Sequence, residues 1–390
     1  MQHLNIAFYS DTYLPAVDGV VTSMLDFKRE LEKRGHNVYI FASARRKDKR
    51  KYGAKDVFLY TGLKFKPYPQ YSVALFPYYS SLKLKGLSID LIHAQTPFMM
   101  GFNGLLAAKF GRYPLIGTFH TLINSKSLDT YYPKNKTLKK FYADSVWRYT
   151  KFFYRMCDVT IAPSNTISEL LNKHQIGNVN VVPNGINLKL FNERVSGEGF
   201  RKSMGLRDSD KVLLYVSRIS KEKHLDVLLR AMKLLASKKE NVKLVVAGSG
   251  PAIDECKHLA IKLGIADRTS FLGMVDHNTL PRVYAAGDLL CLPSTFETQG
   301  IVSLEAMAVG KPVVGASAMA LNELIQNGKN GEKFKPGDYA ACAKKIEKVL
   351  NNYEGYRRHA LSTAKSYSTE RVTDKLIKIY ELLVSKQAVY

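Results

Sequence analysis

Short, almost wholly apolar runs recur along the chain, and each is followed by a loop and then by apolar residues at helical spacing. Residues 4–9 (Leu-Asn-Ile-Ala-Phe-Tyr) read as a strand. The loop after them ends at Asp18-Gly19, and Met24, Phe27 and Leu31 then recur on one side of a helix that Gly35 is placed to cap. Further strands are expected at residues 38–41, 91–93, 115–118, 159–162 and 179–182. Strands this apolar need cover on both faces, so the alternation predicts α/β architecture with a parallel sheet, not a sandwich.

The pattern stops in a charged, irregular stretch at residues 191–210 and restarts at 212–216, continuing through 244–247, 289–292 and 312–314. A chain of 390 residues exceeds what one core organises. Two doubly wound, Rossmann-like domains are therefore expected, at 1–190 and 191–367. The terminal helix (368–390), with Val372, Leu376, Ile379 and Leu383 on one face, is expected to pack back on the first. Such sheets take ligands at the carboxyl ends of their strands, which predicts a cleft where the two edges face each other.

Charge narrows the partners. The formal net charge is +24, and eleven lysines and arginines fall between Arg45 and Lys85, opposed only by Asp48 and Asp56. Tyr60, Phe65, Tyr68, Tyr71, Phe76, Tyr78 and Tyr79 are threaded among them. This segment, with Arg45, Arg46, Lys47, Lys49, Arg50, Lys64 and Lys66 as its principal cations, predicts work against an anionic surface. Near residues 136–156, Leu138, Tyr142, Val146, Tyr149, Phe153 and Met156 gather on one helix side. Lys136, Lys140, Arg148, Lys151 and Arg155 lie opposite with Trp147, the only tryptophan. That helix is either an ordinary surface helix or an interfacial one whose basic face and Trp147 meet lipid headgroups. No apolar run reaches bilayer-spanning length, so membrane contact is expected to be peripheral. The start lacks the basic region of a signal peptide, and Cys157, Cys256, Cys291 and Cys342 form no CxxC pair. A reducing cytosol without a disulfide framework or zinc site fits.

The chemistry concentrates in the second half. Residues 294–300 (Ser-Thr-Phe-Glu-Thr-Gln-Gly) follow a strand and open a helix, whose first N–H groups suit a phosphate. Glu297 lies in the turn and Glu305 inside the helix, and carboxylates accept well from paired sugar or ribose hydroxyls. Arg218 and Lys223, in the loop after residues 212–216, can stabilise a departing diphosphate without a metal. Gly248-Ser249-Gly250 either approach a ligand or serve only as turn residues. No G-x-G-x-x-G follows the first strand, which disfavours a dinucleotide oxidoreductase.

Asp18-Gly19-Val20, His120-Thr121, Pro183-Asn184-Gly185, Ser217-Arg218 with Lys223, residues 246–251 and the Glu297/Glu305 pair together resemble retaining glycosyltransferases of family 4. The resemblance covers nearly the whole chain and implies the GT-B fold. It implies that Gly19 approaches the donor diphosphate, that Arg218 and Lys223 grip it, and that Glu297 and Glu305 hold the sugar and ribose. Backbone groups at Gln299, Gly300 and Ile301 would complete the cradle, Gly273-Met274-Val275 would meet the base, and His120 would stand near the donor sugar. Asp18, Asn187 and Gln95 depart from the usual pattern, where glycine, aspartate and histidine are frequent.

A finer resemblance, carried by residues 11–15, 19–23 and 297–300, is to diacylglycerol 3-glucosyltransferases. It implies UDP-glucose as donor, a lipid acceptor and the inner face of the cell membrane. No cofactor is expected, and metal should be dispensable on the reading that the chain lacks an Asp-x-Asp motif. Two alternatives stand beside this: GDP-mannose transfer to phosphatidylinositol or another lipid, and a basic nucleic-acid-binding protein. The second finds no nucleic-acid-binding motif and leaves Glu297 and Glu305 without a role. Oligomeric state is not legible.

Overall fold

The computed structural model describes residues 3–16, 18–64, 72–74, 80–120, 136–238 and 241–387. The chain divides into two compact units, Met1–Gly185 with Thr369–Tyr390, and Ile186–Ser368. The expected boundary after residue 190 moves back because Ile186 and Phe191, each 2% exposed, belong to the second unit's core, with Leu188 and Leu190 packed against it.

Among the described residues, eight strands build the first unit: β1 (Asn5–Ser10), β2 (Asn37–Ala44), β3 (Val57–Lys64), β4 (Ser72–Ala74), β5 (Leu91–Ala94), β6 (Leu115–Thr118), β7 (Val159–Ala162) and β8 (Val179–Val181). Their order is β4-β3-β2-β1-β5-β6-β7-β8. All pairings are parallel except β3 with β4, an antiparallel edge that the sequence reading did not include. The order reverses between β1 and β5, so the loops after these two strands diverge and leave a crevice at their carboxyl ends. Asp18 caps the helix Gly19–Lys33, its carboxylate accepting from the Val20 and Val21 amides at 3.0 and 2.9 Å. The aspartate that departs from the family pattern thus anchors the turn that presents Gly19. The terminal helix Thr369–Gln387 buries Val372, Leu376, Ile377 and Tyr380 in the first unit's core. There the Tyr380 hydroxyl meets His93 Nδ1 at 2.7 Å.

The second unit holds β9 (Lys211–Val216), β10 (Val242–Ala247), β11 (Thr269–Gly273), β12 (Leu289–Leu292), β13 (Val313–Ala316) and β14 (Gly331–Phe334), in the order β11-β10-β9-β12-β13-β14 and parallel throughout. One cluster under the sheet includes Leu228, Met232 and Ile346, and another over it includes Leu304, Met307 and Ala360. A fully buried leucine of this kind contributes about 2 kcal/mol.

Several polar groups are buried in this unit, Glu332 among them. Glu332 on β14 is 0% exposed and accepts from Lys345 and Lys348 at 2.6 Å each and from the Tyr356 hydroxyl at 2.7 Å. These partners outweigh burial and hold its carboxyl down at about 2. A carboxyl depressed in the fold stabilises above its unfolded value and loses that contribution as pH falls from about 4.5 through about 2. Glu332→Gln is expected to cost about 3 kcal/mol at pH 7. It should also flatten the acid dependence, so denaturation at pH 7 and pH 3 should differ less in the variant than in the natural chain.

Candidate active site

The strand order of the second unit reverses between β9 and β12, and the two loops that leave this point carry the residues singled out above. After β9, residues 217–220 lead into a single tight turn, Lys221–Lys223, which ends at His224 in the left-handed region (φ 50°). After β12, residues 293–300 lead into the helix Ile301–Ala308. The loops are stitched together. The Thr295 amide donates to Glu222 O at 3.3 Å, His224 Nε2 lies 3.2 Å from Thr295 Oγ1, and the Ser220 hydroxyl donates to Glu222 at 2.7 Å.

The central contact is ionic. Lys223 Nζ lies 2.6 Å from Glu297 Oε1 and donates to Phe296 O at 3.0 Å. The two side chains are only 17% and 14% exposed, so the pair is shielded from solvent much more than a surface ion pair. Glu297 is fixed from behind by the Ala320 amide, which donates to its carbonyl at 3.2 Å. Gly300 adopts φ 81° to start the helix, and no side chain caps it. This leaves the helix start suited to an anion. Gln299 is 4% exposed and Ile301 half-buried. Glu305 is 6% exposed, and its Oε2 accepts from the Tyr284 hydroxyl at 2.8 Å. Burial and the neighbouring carboxylate push the Tyr284 phenol well above its ordinary range, so it remains a donor. Tyr284 lies outside every motif and had no signal in the sequence.

Arg218 is exposed on the β9 loop, and its carbonyl accepts from the Tyr215 hydroxyl at 3.4 Å. Gly248 and Gly250 explain how that loop is seated. A Cβ on Gly248 (φ 140°) would lie 1.9 Å from Ser217 O, and one on Gly250 2.2 Å from Ile219 O. These glycines admit the backbone of the Arg218 loop, which is a shape requirement in its own right. Gly273 (φ 71°) accepts from the Gly248 amide at 2.7 Å, followed by exposed Met274 and half-buried Val275. One Asp-x-Asp triplet does exist, Asp208-Ser209-Asp210. It stands before the amino end of β9, away from Lys223 and Glu297, and Asp210 is engaged by Arg207. Among the described residues no cluster of histidine, cysteine and carboxylate could hold a metal ion.

Gly19 and His120 belong to the first unit. Gly19 is exposed, the first residue of its helix. His120 follows β6, its Nε2 lies 2.9 Å from Gln95 Oε1, and burial pushes its imidazole down to about 4. Of the basic set, Arg45 pairs with Asp48 at 2.7 Å, while Arg46, Lys47 and Arg50 are exposed on the short helix Arg46–Tyr52. Lys49 lies 3.5 Å from Thr61 Oγ1. Lys66 and Thr121 lie outside the described residues, as does the side chain of Lys64. Trp147 is not an open anchor: it is half-buried, with its indole stacked on His174 at 3.8 Å. Among the described side chains of the helix Lys136–Arg155, Phe141, Tyr149 and Phe152 are large, apolar and exposed. Among the described residues no helix is long and apolar enough to cross a membrane.

Residues 17–190 match the family described as Glycosyltransferase Family 4, and residues 198–366 match Glycosyl transferases group 1. An alpha-monoglucosyldiacylglycerol synthase of Streptococcus pneumoniae is 33% identical over 331 residues, which are 83% of this chain and 74% of the relative. The chain belongs to glycosyltransferase family 4. Members similar to it differ in donor: a GDP-mannose-dependent alpha-mannosyltransferase of Corynebacterium glutamicum is 27% identical, over 84% of this chain and 76% of its own length. The family 4 fold is matched by Anabaena HepE, solved with UDP-glucose, at TM-score 0.75 and 22% identity, covering 97% of this chain and all of that one. The chain is therefore a glycosyltransferase of GT-B fold with two Rossmann-like units.

Proposed function

We propose that this glycosyltransferase moves a hexose, glucose from UDP-glucose, onto the hydroxyl of a membrane lipid such as diacylglycerol, with retention at the anomeric carbon. The observation that carries the donor half is the Lys223–Glu297 pair at the β9/β12 reversal, with Glu305 inside the helix that follows. A cation and two carboxylates spaced this way fit a pyrophosphate flanked by sugar and ribose hydroxyls. Arg218 and Lys223 receive the diphosphate, Glu297 the sugar and Glu305 the ribose. Gln299, Gly300 and Ile301 supply backbone N–H groups, and Gly273, Met274 and Val275 border the base. From the first unit, Gly19 serves the diphosphate and His120 the sugar. The acceptor oxygen attacks the anomeric carbon on the face the diphosphate leaves, and the departing phosphate oxygen takes the acceptor proton. The developing charge is met by two fixed cations, so the step needs no metal.

The lipid half draws on the Streptococcus relative's name and on the exposed cations of Arg46–Tyr52, with Phe141, Tyr149 and Phe152 as apolar contacts. It implies peripheral attachment to the inner face of the cell membrane. A screen of UDP-glucose and GDP-mannose against vesicles with diacylglycerol or phosphatidylinositol, with and without EDTA, tests the reading. Glucose transfer to diacylglycerol that survives EDTA, with an α-linked product, is expected. Exclusive turnover of GDP-mannose, or a β-linked product, would overturn the donor or the stereochemistry.

A further inference from the structure

Gln95 follows β5 at the strand-order reversal of the first unit. Its side chain is 1% exposed, its Oε1 lies 2.9 Å from His120 Nε2, and among the described residues its Nε2 meets no acceptor. The backbone is pinned at this point. The Gln95 backbone N–H donates to Tyr9 O at 2.8 Å, and the next residue, Thr96, donates its hydroxyl to Asp11 at 2.6 Å. An amide oxygen only accepts, so the 2.9 Å contact requires the proton of the neutral ring to sit on His120 Nε2. Nδ1 is then the ring's one acceptor atom. A buried N–H without a partner is, in turn, a group that a bound ligand characteristically satisfies.

We propose that Gln95 is a positioning residue for His120: its amide oxygen fixes the Nε2-protonated ring, so that the imidazole meets a sugar hydroxyl as acceptor, while its own buried N–H is kept for an oxygen of the same sugar. This rests on the reading of His120 as a donor-sugar residue. His93, the titratable neighbour electrostatically coupled to this ring, is sealed between Tyr380 and Thr118, and burial pushes it down to about 3. It therefore supplies no charge at neutral pH. A histidine at position 95 could donate or accept; an amide held in this orientation removes that ambiguity.

The test compares Gln95→Leu, Gln95→Glu, His120→Ala and the Gln95→Leu/His120→Ala pair, using whichever sugar nucleotide the natural chain turns over. Circular dichroism and binding of the free nucleoside diphosphate establish that each variant is folded. Gln95→Leu should lower kcat about tenfold with nucleoside diphosphate affinity unchanged, and by only about threefold once His120 is alanine, the remainder being the N–H lost to the sugar. Gln95→Glu keeps an acceptor oxygen but sets a negative charge against the ring and favours the imidazolium. Its rate should fall between pH 8 and pH 6, where the natural chain is flat, and this variant carries the test if the leucine variant does not fold. A normal rate in Gln95→Leu, a full tenfold loss added to His120→Ala, or a flat profile in Gln95→Glu would overturn the proposal. A normal rate in His120→Ala would instead overturn the reading of His120.

Discussion

Alanine at both Arg218 and Lys223 is expected to lower turnover by about a thousandfold or more while leaving the melting temperature close to that of the natural chain. The leaving diphosphate gains charge as the sugar bond breaks, and removing one preorganised charge-stabilising donor costs roughly a hundred- to a thousandfold. Neither side chain supports the core. Arg218 is exposed, and Lys223 belongs to a loop whose seating depends on the backbone near Gly248 and Gly250 and on the Thr295–Glu222 contact. Folding and chemistry should therefore separate. Steady-state rates with the preferred sugar nucleotide, beside thermal melts, check this. A double variant with ordinary turnover would remove the two cations from the mechanism.

The second large effect carries an unusual sign. Lys223 and Glu297 are paired at 2.6 Å, yet the proposed function gives them different parts of the donor. Glu297→Gln keeps the shape and removes the charge. The sugar loses an ionic acceptor, so kcat should fall about a hundredfold. The lysine loses the anion that competes with the pyrophosphate, so the nucleoside diphosphate alone should bind more tightly, by about three- to tenfold for a partly screened pair. Calorimetric titration of the variant with UDP or GDP tests this. Equal weakening of product and donor would make Glu297 a strut for the loop and not a sugar contact.

Strands with unbroken apolar runs were legible because each is buried on both faces; β9, β10 and β12 needed no structure to be found. The strands that escaped lie at edges or carry polar groups. Every residue of β11 is only half-buried, and β14 reads Gly-Glu-Lys-Phe because Glu332 is paired from inside the unit. The helix Lys136–Arg155 was legible and Phe153 lies on its inner side as expected, but Tyr149 does not. Phe153, Tyr154 and Thr150 point inward, with the Tyr154 hydroxyl donating to Thr118 O at 2.9 Å, whereas Tyr149 is 37% exposed. Helical periodicity alone could not weigh the polar contact that draws Tyr154 in. Lys223 and Glu297, separated by 74 residues, were singled out from the loops that follow their strands and from motif resemblance, and their direct pairing was not foreseen. Tyr284 and the tautomer imposed by Gln95 left no trace, because a single hydrogen-bond partner has no period and no motif.

A crystal structure with UDP, or with GDP if that is the preferred base, shows directly where the nucleoside diphosphate sits. The phosphates should lie within hydrogen-bonding distance of Arg218, Lys223 and the start of the helix Ile301–Ala308, with the ribose hydroxyls on Glu305. Phosphates bound away from the β9 and β12 loops, or a ribose that leaves Glu305 untouched, would contradict this placement.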